Sequence, residues 1–583
     1  MRLSVPRSLL LTCCWLSLFF PAAAGAAALV VRITGIDGPA LENVGRALAL
    51  PPALQKEEKA NPLWLRRFVR QAPAKVRRAL EPFGYYRAGV SVRYDDKSSP
   101  PQLAVTIRPG DPIRISRQRI AIEGDRETVQ GKRRMFPLQK GDILRHDLYE
   151  QGKADLLGVA VDLGYLDAEF LRHRVEVDPE RNSADVDLLL ATGPRYQVGE
   201  VRFSGAPDYS EDFLARYLTL RPGKYFSYLE LGKTRQNLLD SDRFRTVTIL
   251  PHKDRAEAAR LPVEIVLDPA PPRRLRPGIG YGTDTGVRFN LRGQDLNVRH
   301  RGHELYGDLL IAQLRQDISL SYVVPDNRNI DTMTALRGGY RAENLNSYDT
   351  SYFFTEAERI HGFGPKRIGS VFLRFLSERS ELGGEMVASE QIVPGVRYRQ
   401  SKLDNPVRPS EGYKVSLEGR CGIDLSLGGL PIFQVLGDAQ FIRPLPWESL
   451  LLLRGAGGAT LQKDVFTDLP ASLRFFTGGD NSVRGYLYQS LGPQNEQGEV
   501  VGGHHFLAGS VEVERSVAAD WSLAAFFDIG NAFDEFTRID ARKAAGAGIR
   551  YYTPVGPARL DVARTVAEAD PHFRIHIGLG VNW

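Results

Sequence analysis

The stretch Phe573-Arg574-Ile575-His576-Ile577-Gly578-Leu579-Gly580-Val581-Asn582-Trp583 decides how the C-terminal half of the chain is read. Phe573, Ile575, Ile577, Leu579, Val581 and Trp583 share one parity, and Arg574, His576, Gly578, Gly580 and Asn582 share the other. Side chains alternate across an extended strand, so one face is apolar along its whole length and finishes on an aromatic ring. That pattern suits the wall of a membrane barrel, with lipid on one side and a polar lumen on the other. A sandwich strand can alternate in the same way. The number of such strands in succession separates the two readings.

From about residue 276 helical periodicity disappears, and segments of roughly ten residues with alternating polarity follow one another, broken by Gly, Asn, Asp and Pro. We count sixteen, from 277–283 to 573–583. An even number of antiparallel strands returns both ends of the ring to the same side. Closure follows from the solvent, because an open sheet edge finds no hydrogen-bond partner in hydrocarbon. Residues 276–583 are therefore predicted to form a 16-stranded transmembrane β-barrel.

Between two of these strands a loop-like segment, about 464–503, carries Gly478-Gly479-Asp480-Asn481-Ser482-Val483-Arg484-Gly485-Tyr486. Its glycines open positive φ to the backbone, so Arg484 can be aimed from a tight turn with Val483 and Tyr486 packed beside it. Its candidate partners are acidic. In Phe526-Phe527-Asp528-Ile529-Gly530, Leu523, Ala525, Phe527 and Ile529 are placed toward lipid, which turns Phe526, Asp528 and Gly530 inward. In Gly556-Pro557-Ala558-Arg559-Leu560-Asp561 the same parity turns Arg559 and Asp561 inward. A loop folded back into the lumen would bring Arg484 to these acids.

The first half alternates helix-like and strand-like runs in three similar modules of β-α-α-β-β order, 28–110, 112–193 and 195–268. Comparable positions carry Phe83-Gly84-Tyr85, Leu163-Gly164-Tyr165 and Ser241-Asp242-Arg243-Phe244, and the joints contain proline. Each module is large enough to hold a small core and leaves a free sheet edge that could pair with another extended chain.

Residues 1–26 read as a secretory signal peptide: Arg2 and Arg7, a short apolar core over 8–20, then small residues at 21–27. Cys13 and Cys14 leave with it, and Cys421 is left with no partner for a disulfide. The formal charge of +6 drops to about +4 without Arg2 and Arg7, too weak to suggest a nucleic-acid partner.

Taken together, Gly478-Gly479 with Ser482-Val483-Arg484-Gly485-Tyr486, Phe526-x-Asp528-x-Gly530, Gly556-Pro557-x-Arg559-x-Asp561 and the turn Asp404 to Gly412 resemble the outer-membrane assembly and two-partner secretion superfamily. The modules resemble its polypeptide-transport-associated (POTRA) domains. The resemblance implies a lumenal Arg484 against Asp528, with Asp561 and Arg559 nearby. Three modules are similar to the translocation-and-assembly (TamA) branch. That branch implies a periplasmic module array below an outer-membrane barrel, a TamB-like inner-membrane-anchored partner on the first module, and unfolded outer-membrane or autotransporter clients. The expected working part is a weak seam between first and last strands, lined by Gly278, Gly280 and Gly282 on one side and by Gly578, Gly580 and Trp583 on the other. A two-partner-secretion pore and lipid transfer to the outer membrane fit the same architecture.

Enzymatic readings are weak. Asp284-Thr285-Gly286 and Asp349-Thr350-Ser351 fall at turns between strands, and Gly232-Lys233-Thr234 lacks the first glycine of a phosphate loop. His504-His505 has no third ligand at useful spacing. No catalytic residue, metal or cofactor is expected.

Overall fold

In the computed structural model the described residues are 29–50, 62–95, 97–98, 101–124, 136–345, 347–364, 366–405, 408–425, 431–461, 469–553, 556–566, 568 and 570–579. The expected signal peptide and the seam residues Gly580 and Trp583 lie outside them. The chain packs as two units: Met1–Glu200 with Leu220–Leu231 and His252–Pro262, and Val201–Thr219 with Gly232–Pro251 and Val263–Trp583.

The first module runs β1 (Val30–Thr34), α1 (Gly38–Ala47), α2 (Pro62–Leu80), β2 (Gly89–Asp95) and β3 (Gln102–Arg108), with sheet order β1-β3-β2. Leu65, Phe68, Ala72, Val76 and Ala79 recur at three- and four-residue spacing, which puts them on one face of α2. That face packs on Leu103, Val105 and Ile107, the inward parity of the central strand β3. The second module repeats the sheet order, with one helix among its described residues: β4 (Arg114–Glu123), α3 (His146–Asp162), β5 (Glu169–Asp178) and β6 (Ser183–Ala191), in order β4-β6-β5. Its described helix starts at His146, after Ile143 bridges to Arg114. The third contributes β7 (Gln197–Ser204), α4 (Glu211–Ala215), α5 (Tyr228–Asp240), β8 (Phe244–Pro251) and β9 (Arg260–Pro269), in order β7-β9-β8. Helix α4 is short, and the Ser210 Oγ caps it by accepting from Phe213 N at 3.3 Å.

The repeat shows most clearly in one backbone position per module. Gly84, Gly164 and Asp242 have φ of +88°, +97° and +59°. The first two present their carbonyls to the start of the next module: Ile113 N donates to Gly84 O and Tyr196 N to Gly164 O, both at 2.8 Å. In the second unit Arg274 Nη2 donates to Asp242 O at 2.7 Å in the same way. A Cβ on Gly164 would lie 2.7 Å from Phe226 O, so this joint requires glycine.

The second unit closes sixteen antiparallel strands into one ring. They are β10 (Arg273–Gly282), β11 (Gly286–Val298), β12 (His303–Ala312), β13 (Arg315–Pro325), β14 (Thr332–Asn344), β15 (Tyr348–Gly362), β16 (Arg367–Leu382) and β17 (Glu385–Leu403). The ring continues through β18 (Gly412–Asp424), β19 (Ile432–Leu445), β20 (Ser449–Leu461), β21 (His505–Ala518), β22 (Trp521–Phe533), β23 (Arg542–Thr553), β24 (Gly556–Val566) and β25 (Phe573–Leu579). The first strand begins earlier than 277, directly after Pro272, because Arg273 reaches Asp295 of β11 at 2.9 Å. Parity sorts the wall as expected. Leu320, Leu373, Leu523, Phe527, Leu560 and Ile575 are exposed on the outside, while Ala524, Phe526, Asp528, Asp561 and His576 are buried within. An apolar outer surface facing a polar interior is the arrangement that a bilayer requires.

The third module is seated on the barrel's near turns. Arg243, 2% exposed, donates from Nη2 to Gly302 O at 3.0 Å and to Glu304 Oε1 at 2.6 Å. Arg216 Nη2 donates to Asn329 O at 3.3 Å and to Ile330 O at 3.2 Å.

Candidate functional site: the lumenal loop and the barrel seam

The segment joining β20 to β21 folds back into the barrel as a secondary hairpin. Phe475 and Gly503 exchange backbone hydrogen bonds at 2.8 Å, and Thr477 and Leu491 do so at 3.0 and 2.9 Å. The wall grips its root: Gln434 Nε2 donates to Leu473 O at 2.7 Å, and Ser472 N to Glu378 Oε1 at 3.1 Å. At the tip, Ser482 Oγ accepts from Gly478 N at 2.8 Å. Gly478, Gly479 and Gly485 have φ of +105°, +97° and +100°, which only glycine adopts cheaply. Space is restrictive as well, since a Cβ on Gly479 would fall 2.7 Å from Asp284 Oδ2. Val483 and Tyr486 pack with Leu491 and with Ala544 of β23. Tyr486 OH donates to Glu568 Oε1 at 2.6 Å.

This geometry places Arg484 in the lumen, 3% exposed, with its guanidinium 3.4 Å above the Phe526 ring. Asp528, fully buried, accepts from Arg484 N at 3.1 Å, Nε at 2.7 Å and Nη2 at 2.9 Å. Nη1 donates to Glu512 Oε2 at 2.7 Å and reaches Asp561 Oδ2 at 3.3 Å. Arg550 completes the set, donating to Glu512 Oε1 at 2.9 Å and bonding Asp561. Two guanidinium groups therefore face three carboxylates inside a low-dielectric wall, where hydrogen-bonded pairing is what makes burial of charge tolerable.

Sequence reasoning missed Glu512 and Arg550. The signal was present, since Val511-Glu512-Val513 and Ile549-Arg550-Tyr551 alternate with the charge on the lumenal parity. Arg559 shares that parity but is exposed, and it makes no hydrogen bond or ion pair among the described residues. Its expected place beside Arg484 is taken by Arg550. Gly530 lies against the neighbouring strand, where a Cβ would meet Leu507 O at 2.6 Å. In the periplasmic-side turn, Asp404 Oδ1 accepts from Ser410 N at 2.9 Å, and a Cβ on Gly412 would collide with Lys402 O.

The seam is thin. Among the described residues two pairs, Tyr281–Leu579 and Gly282–Gly578, join β10 to β25, whereas ten join β10 to β11. Gly282 and Gly578 sit in that short ladder, and Gly280 borders it, with a Cβ position 2.9 Å from Leu579 O. Gly278 pairs with Asn290 of β11, and no β25 partner for it falls among the described residues.

The loop bridges this seam. Asp480 N donates to Asp284 Oδ2 at 2.7 Å, and Thr283 Oγ1 donates to Asp480 Oδ1 at 3.1 Å, which ties the loop to the end of β10. On β25, His576 accepts from Gly485 N at Nε2, at 2.9 Å, and bonds Asp480 through Nδ1. With Nε2 accepting, the ring proton sits on Nδ1 and is donated to Asp480. Asp284, Asp480 and His576 have donor atoms within 4.8 Å of one another, a spacing suited to a metal ion. The protonated Nδ1 has no lone pair to offer, so the trio is a hydrogen-bonded bridge. Burial, and then the neighbouring Asp480 carboxylate, push Asp284 up to about 7. Of the other motifs weighed for catalysis, Gly232 lies within α5, and His504 Nδ1 pairs with Asp534 at 2.6 Å.

The Omp85 superfamily domain model matches residues 297–583, and the model of POTRA domain TamA domain 1 matches residues 30–109. The outer membrane protein assembly factor BamA of Neorickettsia risticii (strain Illinois) is 21% identical over 509 residues, 80% of this chain and 65% of that protein. The chain thus spans just under two thirds of that relative's length. BamA of Nitratidesulfovibrio vulgaris is 22% identical over 630 residues, 85% of this chain and 77% of that protein. The crystal structure of BamA from Haemophilus ducreyi lacking POTRA domains 1–3 covers 80% of this chain and 99% of its own, with a TM-score of 0.68 at 15% identity, which shows a shared fold. The protein belongs to the BamA/TamA outer-membrane assembly superfamily, as an outer-membrane β-barrel with amino-terminal POTRA domains.

Proposed function

We propose that the protein is an outer-membrane insertase or translocation factor of the TamA type, without enzymatic activity, which assists assembly or secretion of β-barrel and autotransporter-type clients. The observation that carries this reading is the ladder of two described pairs between β10 and β25, spanned by a loop anchored in the lumen. Among the described residues this is the shortest ladder between neighbouring strands of the ring, and an opened edge is a template for an incoming strand. Among the described residues β2 is an edge strand of the first POTRA sheet, which suits docking of a TamB-like partner. Its match to TamA domain 1 supports the same assignment.

The test is a disulfide across the seam. Gly282 and Gly578 are paired, so G282C with G578C cross-links β10 to β25 under oxidation. Client assembly should stop in the oxidised protein and resume on reduction. Assembly that continues at full rate in the locked protein would exclude seam opening. Co-purification from envelope extracts separates this role from a dedicated secretion pore: the first recovers an inner-membrane-anchored partner, the second a single exported protein.

A further inference from the structure

The positive charge of this chain is concentrated in its first POTRA domain. Residues 30–109 hold 14 Lys and Arg against 7 Asp and Glu, whereas the chain as a whole has 76 against 70. Much of the excess lies on one helix. Helix α2 carries Arg66, Arg67, Arg70, Lys75, Arg77 and Arg78 and not one acidic residue. Its apolar face is already spent on the domain core, so the arginines form the outer face. Lys75 sits over the Phe68 ring at 5.0 Å, and Arg77 Nε reaches Ala88 O at 3.4 Å. Arg66, Arg67, Arg70 and Arg78 are exposed and make no hydrogen bond or ion pair among the described residues. From Arg66 to Arg78 the helix advances about 18 Å. Leu63, 77% exposed, stands one turn before Arg67 on the same stripe, beside Trp64.

We propose that this face of α2 docks the first POTRA domain on a bilayer surface rich in anionic phospholipid. A row of unpaired arginines on a convex helix offers forked donors for phosphate oxygens and attracts any negative surface within a Debye length. A protein partner is a poorer fit, because interface cores are depleted of charge and are built on buried anchors in pockets. The exposed Leu63 at one end of the row is a residue type that enters the headgroup layer. The inference does not depend on seam opening.

The test uses the full chain in phosphatidylcholine nanodiscs, mixed with large vesicles of phosphatidylcholine alone or with phosphatidylglycerol, and measures sedimentation with the vesicles. Binding to the anionic vesicles alone, weakened by salt, is expected. Replacing Arg66, Arg67, Arg70 and Arg78 with alanine should lower the partition coefficient by about 100-fold or more. The corresponding lysine variant keeps the charge and should retain most of the binding. Equal sedimentation with both vesicle types overturns the proposal, as does undiminished binding of the alanine variant or loss of binding in the lysine variant. Preferential retention on polyglutamate beads over anionic vesicles would move the assignment to an acidic protein.

Discussion

Asp528 accepts three hydrogen bonds from Arg484, one from the backbone amide and two from the guanidinium, at 3.1, 2.7 and 2.9 Å. Backbone and side chain of the loop tip are thus fixed by one carboxylate of β22. Arg484→Ala leaves Asp528, Glu512 and Asp561 facing one another with Arg550 as the one remaining guanidinium of this cluster. Losing one partner of a buried pair costs about 3–5 kcal/mol. The loop should become protease-sensitive while the barrel still migrates as a folded band in unheated gels. Arg484→Lys should rescue little, because an ammonium group cannot reproduce the forked contacts.

Gly485→Ala tests the turn itself. The residue sits at φ +100°, with a Cβ position 3.2 Å from the Ala544 Cβ. Forcing an L-residue into that region costs about 1–2 kcal/mol before any packing strain. The substitution also shifts the amide that donates to His576, so hydrogen exchange should rise at residues 482–486 and at β25 together. Exchange confined to the loop would separate the loop from the seam.

Asp284 makes the seat of the loop pH-dependent. Its folded value of about 7 lies above the ordinary 3.8, so its contribution is full below about pH 4 and is lost as pH rises through about 7. Loop amides at 479–482, corrected for intrinsic exchange, should be better protected at pH 6 than at pH 8. Asp284→Asn should flatten that dependence, and a slope unchanged in the variant would assign it to another group.

Arg243→Ala probes the seat of the third POTRA domain on the barrel. The guanidinium bonds Gly302 O and Glu304 and is nearly inaccessible to solvent. Its loss is expected to destabilise the joint by about 3 kcal/mol and to expose the 299–302 turn to exchange, leaving the sixteen-strand ladder protected.

Much of this architecture is legible in the residues because it follows from local periodicity. Alternation in Phe573–Leu579 and Trp521–Phe533 sets which side chains meet lipid, and the turn residues set the strand count. The aim of Arg484 toward Asp528 follows from glycines at 478, 479 and 485 combined with the parity of residue 528. Those are short-range rules, imposed by pleating and by backbone sterics, and they need no knowledge of what lies across the ring. Three features were decided by tertiary structure alone: the choice of Arg550 over Arg559 as the second guanidinium, the entry of Glu512, and the His576–Asp480–Asp284 bridge over the seam. Their members stand tens to hundreds of residues apart, and many lumenal side chains share the same parity. Strand tilt and register, which depend on closure of the whole barrel, determine which of them come within hydrogen-bond reach.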